Sequence, residues 1–151
     1  MTLSEAELVA YGTAIGATVE TPVFLALRGD LGAGKSVFAR AVARGAGVTA
    51  GMPSPTFNLV FRYEGTRGVD VVHLDLYRLE DADDVWELGW RELGADREIV
   101  LVEWPEQAGP LLPEDRWDVQ LTVAGPELRE LTLTAHGAPP PLPPLSVTAR
   151  Q

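Results

Sequence analysis

Apolar residues recur at roughly helical intervals over Ser4 to Ala17 (SEAELVAYGTAIGA), and Ser4 and Glu7 have the spacing of a capping box, so the chain is predicted to open with a helix. Pro22 then introduces an unbroken apolar run, Val23 to Leu27, which fits a strand buried on both faces. The pattern turns helical again over Ser36 to Gly47, with Gly45 and Gly47 as its stop. Pro53 and Pro55 stiffen a loop around Ser54 to Thr56, and Phe57 to Glu64 reads as a strand ended by a turn at Thr66 to Gly68. Val69 to Leu79 starts as a strand. Glu80 to Gly94 is predicted helical, with the acidic start that the helix dipole favours. Arg97 to Trp104 is a further apolar strand. Two alternating runs around Gly125-Pro126 read as a hairpin.

Strands alternating with helices predict an α/β layered fold, with a mostly parallel central sheet and a C-terminal antiparallel hairpin at its edge. No internal repeat is visible. The end, APPPLPPLSVTARQ, is too rich in proline for helix or central strand and is expected to be an extended or disordered tail. The predicted division is therefore a domain over residues 1–137 and a tail over residues 138–151.

Composition narrows the function. A length of 151 residues with 46% hydrophobic residues suits one domain with one core. The absence of cysteine excludes disulfides and thiolate metal sites and suits a cytoplasmic protein. The first residues carry no basic and apolar leader, and no apolar run approaches the ~20 residues of a membrane helix, so neither signal peptide nor membrane partner is expected. The net charge of −10, without a Lys/Arg cluster, argues against gripping DNA or RNA directly. A bound nucleotide is compatible with it, because one well-aimed loop can hold an anion against an adverse global field.

Such a loop is present. Gly29-Asp30-Leu31-Gly32-Ala33-Gly34-Lys35-Ser36 matches G-x-x-x-x-G-K-[ST] between a predicted strand and a predicted helix. The glycines let backbone approach phosphate oxygens, the loop N–H groups and the helix start point at the anion, Lys35 reaches the β- and γ-phosphates, and Ser36 offers a hydroxyl to Mg²⁺. Lys35 is the only lysine among the 12 basic Lys and Arg residues. An arginine fork is no substitute for an ammonium that must thread such a loop. Carboxylates at the carboxyl ends of neighbouring strands are the complement of this loop, and Asp75 and Glu103 are the two candidates. Thr56, in the proline-stiffened loop, is a candidate sensor of the γ-phosphate. His73 shares a strand face with Asp75; it is read equally well as a packed histidine or as part of the site. Trp86 and Trp90, four apart, read as packing, Trp104 as a residue shaping the pocket, and His136 as a loop residue.

In order along the chain, GDLGAGKS, SPTFNLVFRYE, HLDLYRL, ELGWRE and VEWPE (Gly29 to Glu106) resemble the bacterial TsaE (YjeE) family. The resemblance implies a P-loop NTPase-like three-layer α/β sandwich that binds ATP and Mg²⁺ and hydrolyses ATP slowly by itself. It implies association with a TsaD–TsaB complex, which transfers threonylcarbamoyl to a tRNA adenosine, so that tRNA is met only through partners. By that resemblance Asp30, Leu31, Gly32, Ala33, Gly34, Lys35 and Ser36 hold phosphate. Ser36 and Glu103 are then the Mg²⁺ site, Asp75 the aspartate of hydrolysis and Thr56 the switch-like threonine. The segment around Ser4 and Glu5 frames the adenine, and Arg129 lies close to the nucleotide. Ser36 stands where threonine is commoner, and Val37 and Leu8 stand where the family usually has threonine. Two other readings are a non-catalytic ATP-dependent assembly switch and a small-molecule P-loop kinase with Arg78, Arg91 and Arg97 in a lid.

Overall fold

The computed structural model describes residues 1–30, 32–49, 60–95 and 97–144. Seven strands form one sheet in the order β1-β7-β6-β2-β5-β4-β3, with β1 Thr2–Ser4, β2 Val23–Arg28, β3 Val60–Glu64, β4 Asp70–Asp75, β5 Glu98–Glu103, β6 Arg116–Gly125 and β7 Leu128–His136. The α-helices are α1, Glu5–Thr18, and α2, Lys35–Gly45.

The expected mostly parallel sheet holds for the centre only. β6, β2, β5 and β4 run parallel, whereas β3, β7 and β1 each join antiparallel. The hairpin is also not the edge. β1 pairs outside β7, with Leu3 opposite Arg129 and fully buried. β6 belongs to the parallel core through its register with β2, Leu27 opposite Val119.

Period-2 alternation explains how the sheet serves two cores. Leu25 and Leu27 of β2, Val71 of β4, Ile99 and Leu101 of β5, and Val119 and Leu121 of β6 face α1 and α2. Phe24, Ala26, Val72, Leu74, Val100 and Val102 face the opposite side, packed against Leu76, Val85 and Trp90. That second layer is not α-helical. The stretch expected as one helix is two 3₁₀ segments, Ala82–Leu88 and Trp90–Glu92. Asp81 caps the first by accepting from Asp83 N–H, and Gly89, at φ +77°, ends it in the left-handed region after two short turns.

α1 begins where its capping box dictates: Glu7 N–H donates to Ser4 Oγ at 3.2 Å and Ser4 N–H donates to Glu7 Oε1 at 2.9 Å. This fixes the start of α1 beside β1. Residues 138–144 run extended along the domain: Trp117 Nε1–H donates to Pro140 O at 2.7 Å, Tyr11 O–H to Pro143 O at 2.9 Å, and Leu142 packs on the core shared with α1.

Candidate active site

β2, β5 and β4 are adjacent and parallel, so their carboxyl ends converge on one rim. At that rim Glu103 lies opposite Leu27 on one side and Asp75 on the other. The loop after β2 leads straight into α2 through Gly34, whose φ of +105° is a left-handed conformation that a side chain resists. Gly29 is held tighter still: a Cβ there would lie 2.4 Å from Leu121 O. Both glycines are therefore demanded by the loop path.

Lys35 is the first residue of α2 and is 5% exposed. Its ammonium donates to Gly29 O at 2.5 Å and stands 3.4 Å above the centre of the Trp104 ring. Trp104 reaches this position because, directly after β5, it turns the chain at φ +58°, ψ +51°. The Tyr77 ring packs against Trp104 at a tilt of 49°, ring centres 5.0 Å apart. Burial pulls the Lys35 ammonium below its ordinary range, and the carboxylates of Glu103, Glu106, Asp75 and Asp30 oppose that pull.

Ser36 Oγ–H donates to the Glu103 carboxylate, 3.1 Å from Oε1 and 3.3 Å from Oε2. His73 Nε2 lies 2.6 Å from the same Oε2. Asp75 Oδ1 accepts from Tyr77 N–H at 3.0 Å. Burial pushes the Asp75 carboxyl up; the Tyr77 amide opposes this, the Glu103 charge adds to it, and His73 and Lys35 oppose it.

These groups open on a cavity of about 680 Å³, a size suited to a nucleotide-scale ligand. Gly32, Gly34, Lys35, Ser36, Asp75 and Glu103 line it. Glu5, in the first turn of α1, lines it as well, and Arg129 of β7 borders it while donating to Gly32 O at 3.3 Å. Asp30 and Ala33 do not line it. Asp30 is exposed, and Ala33 is buried in the core with its N–H donating to Asp30 O at 3.1 Å. Leu31 and Thr56 lie outside the described residues. The sequence reading did not single out Pro126 and Glu127, which line the cavity from the tip of the β6–β7 hairpin. The turn signal marked that tip but gave no hint of its neighbour across the sheet.

Among the described residues, no group of three or more His, Cys, Asp or Glu side chains is arranged to hold a metal ion alone. The hydroxyl of Ser36 beside the buried carboxylate of Glu103 instead suits Mg²⁺, which characteristically takes one or two carboxylates together with substrate phosphates. No helix among the described residues is long and apolar enough to cross a membrane.

A family model described as threonylcarbamoyl adenosine biosynthesis protein TsaE matches residues 2–131. The chain belongs to the TsaE family. The tRNA threonylcarbamoyladenosine biosynthesis protein TsaE of Bacillus subtilis is 40% identical over 114 residues, 75% of this chain and 70% of that protein. The TsaE protein of Rickettsia bellii is 34% identical over 132 residues, covering 87% and 90%. That of Treponema pallidum is 32% identical over 123 residues, covering 82% and 90%. Among solved structures, the crystal structure of Bacillus subtilis YdiB superposes with a TM-score of 0.67 at 27% identity, covering 91% of this chain and 86% of YdiB. The TsaE match ends at Leu131, so residues 138–144, which strap α1 to β6, lie beyond it.

Proposed function

We propose that this TsaE-family chain is a Mg²⁺-dependent ATPase subunit that supports threonylcarbamoyl transfer to a tRNA adenosine by a TsaD–TsaB complex. The observation that carries the reading is the meeting of Lys35, the Ser36–Glu103 pair and Asp75 on the wall of one cavity at the ends of three adjacent strands. The names of the relatives supply the pathway.

In this reading the loop N–H groups and the start of α2 receive the phosphates of ATP. Lys35 exchanges Gly29 O for a phosphate oxygen, a stronger charge-assisted partner. Ser36 and Glu103 hold Mg²⁺, which supplies neutralisation of charge on the β- and γ-phosphates. Asp75, anchored by the Tyr77 amide, orients the attacking water at the rim. Glu5, in the first turn of α1, borders the cavity where the base would lie, and Arg129, which donates to Gly32 O, borders it beside the loop. The net charge of −10 fits a subunit that leaves tRNA to its partners.

The test is ATP hydrolysis by the purified chain with and without a TsaD–TsaB complex, and threonylcarbamoyl-tRNA formation over many turnovers. A partner-dependent rise in hydrolysis supports the reading. Asp75→Ala should retain ATP binding while hydrolysis collapses and tRNA product falls. Normal multi-turnover product from that variant would instead favour an ATP-dependent assembly switch.

A further inference from the structure

We propose that His73 is a positioning residue that fixes the orientation of Glu103 for Mg²⁺; this rests on the nucleotide–Mg²⁺ reading above. His73 is 2% exposed in the middle of β4, on the strand face that also carries Val71 and Asp75. Packing alone does not require a histidine there, because its neighbours on the sheet, Leu101 and Phe61, are apolar. Its ring shows which partner matters. Nε2 meets Glu103 Oε2 at 2.6 Å, whereas Nδ1 is buried and, among the described residues, has no hydrogen-bond partner. The satisfied ring nitrogen is the one that faces the carboxylate.

Glu103 in turn depends on it. The carboxylate is 4% exposed, and a buried carboxylate needs donors to stay ionised. Among the described residues, two reach it from different elements: His73 from β4 on Oε2, and Ser36 from α2, closer to Oε1. Ser36 spends its single proton on Glu103 and keeps its lone pairs for a cation. His73 is absent from the cavity wall, and Glu103 is on it. His73 therefore acts behind Glu103, holding Oε2 so that the carboxylate cannot turn away from Ser36. Groups behind a metal ligand that fix its orientation commonly contribute ten- to hundredfold to metal affinity, by roughly that range.

The experiment compares wild type with His73→Phe, which keeps a ring without a donor, and His73→Gln, whose amide can still donate. Nucleotide affinity is measured across a Mg²⁺ titration and again in excess chelator. His73→Phe is expected to raise the half-saturating Mg²⁺ concentration by about tenfold or more, with chelator-state affinity changed by less than about twofold, and His73→Gln to recover to within about threefold. An unchanged Mg²⁺ requirement in His73→Phe overturns the proposal, as does an equal loss of affinity in chelator. An independent readout needs no core variant of His73. The wild-type NMR spectrum should contain a downfield, slowly exchanging imidazole N–H resonance that is lost in Glu103→Leu, which removes the acceptor and keeps the bulk; its persistence there overturns the proposal even where His73→Phe does not fold. If wild type itself binds nucleotide without any Mg²⁺ dependence, the underlying reading fails too, and that is visible before any variant is made.

Discussion

Gly16→Ala is the substitution for which helix propensity and packing disagree most sharply. In an open helix the change would stabilise by up to about 1 kcal/mol. In α1 it meets α2. A Cβ at Gly16 would lie 1.9 Å from Val42 O, 2.7 Å from Ala46 N and 2.9 Å from Val42 C, all backbone atoms that no rotamer change can move. Restoring an ordinary 3.4 Å contact requires the helices to part by roughly 1.5 Å at this point. Gaps of even about 0.5–1 Å forfeit a quarter to a half of a dispersion well. Leu8, Tyr11 and Ile15 of α1 and Phe38 and Val42 of α2 share the affected core. Overpacking of this kind typically costs about 1–3 kcal/mol, and lost core contacts add to it. A net destabilisation of about 2–4 kcal/mol follows, which lowers Tm by roughly 5–15 °C for a chain of this size. Thermal melts followed by far-UV circular dichroism, with urea titrations at constant temperature, measure it. Gly12→Ala is the internal comparison, because its Cβ would meet Ala41 Cβ at 2.9 Å and Phe38 O at 3.2 Å, and it should lose less. The same shift would carry Glu5 and Leu8 on the cavity wall with it, so nucleotide affinity should fall in Gly16→Ala. A Gly16→Ala protein as stable as wild type would refute the reasoning about helix contact.

Three further outcomes are expected. Trp104→Ala removes the ring under the Lys35 ammonium and the contact with Tyr77, and should weaken ATP binding by up to about thirtyfold, as a cation–π contact of about 0.5–2 kcal/mol implies, while Trp104→Phe retains most of the affinity; equal losses in the two variants would contradict this role. Asp75 titrates above its ordinary 3.8 in the fold, so its ionisation opposes folding, and stability is lost as pH rises from 3.8 through the raised value. Asp75→Asn keeps the acceptor for Tyr77 N–H, so in nucleotide-free melts it should be more stable than wild type at pH 7, with the difference vanishing in acid; a variant less stable at pH 7 would contradict this. Truncation after Gly137 removes, among the described residues, three hydrogen bonds of about 1 kcal/mol each and the packing of Leu142, partly offset by regained chain entropy; a Tm loss of roughly 4–8 °C is expected, and an unchanged melt would show that the strap does not stabilise the domain.

The parts of the fold that were legible in the sequence are those fixed by local chemistry. Ser4 and Glu7 announce the start of α1, and the apolar runs at Val23 and Ile99 announce buried strands. The glycine spacing around Lys35 announces a tight strand-to-helix loop, whose path the left-handed Gly34 and the crowded Gly29 carry. What escaped depends on contacts between distant segments. β1 is three residues long, too short for a period, and it is recognisable as a strand only through its pairing with β7. The 80–92 stretch has helical apolar spacing, but Gly89 in the left-handed region cuts it into 3₁₀ pieces. Asp75 and Glu103 were legible as strand-end carboxylates, whereas the link from His73 to Glu103 is a cross-strand contact that parity alone only allows. The same holds for Arg129 reaching Gly32 O from 97 residues away.

The central claim is that Lys35 and its loop hold the phosphates of ATP in the cavity between α1, the hairpin tip and the strand ends. Calorimetric titration of Mg²⁺ and ATP into the purified chain and into Lys35→Ala tests it directly. The account predicts saturable one-to-one binding to the wild type, and for Lys35→Ala a loss of about a hundredfold or more, as removal of a desolvated charge–phosphate contact of a few kcal/mol implies, with the fold intact by circular dichroism. Absence of binding to the wild type, or equal affinity in a folded Lys35→Ala protein, would contradict it.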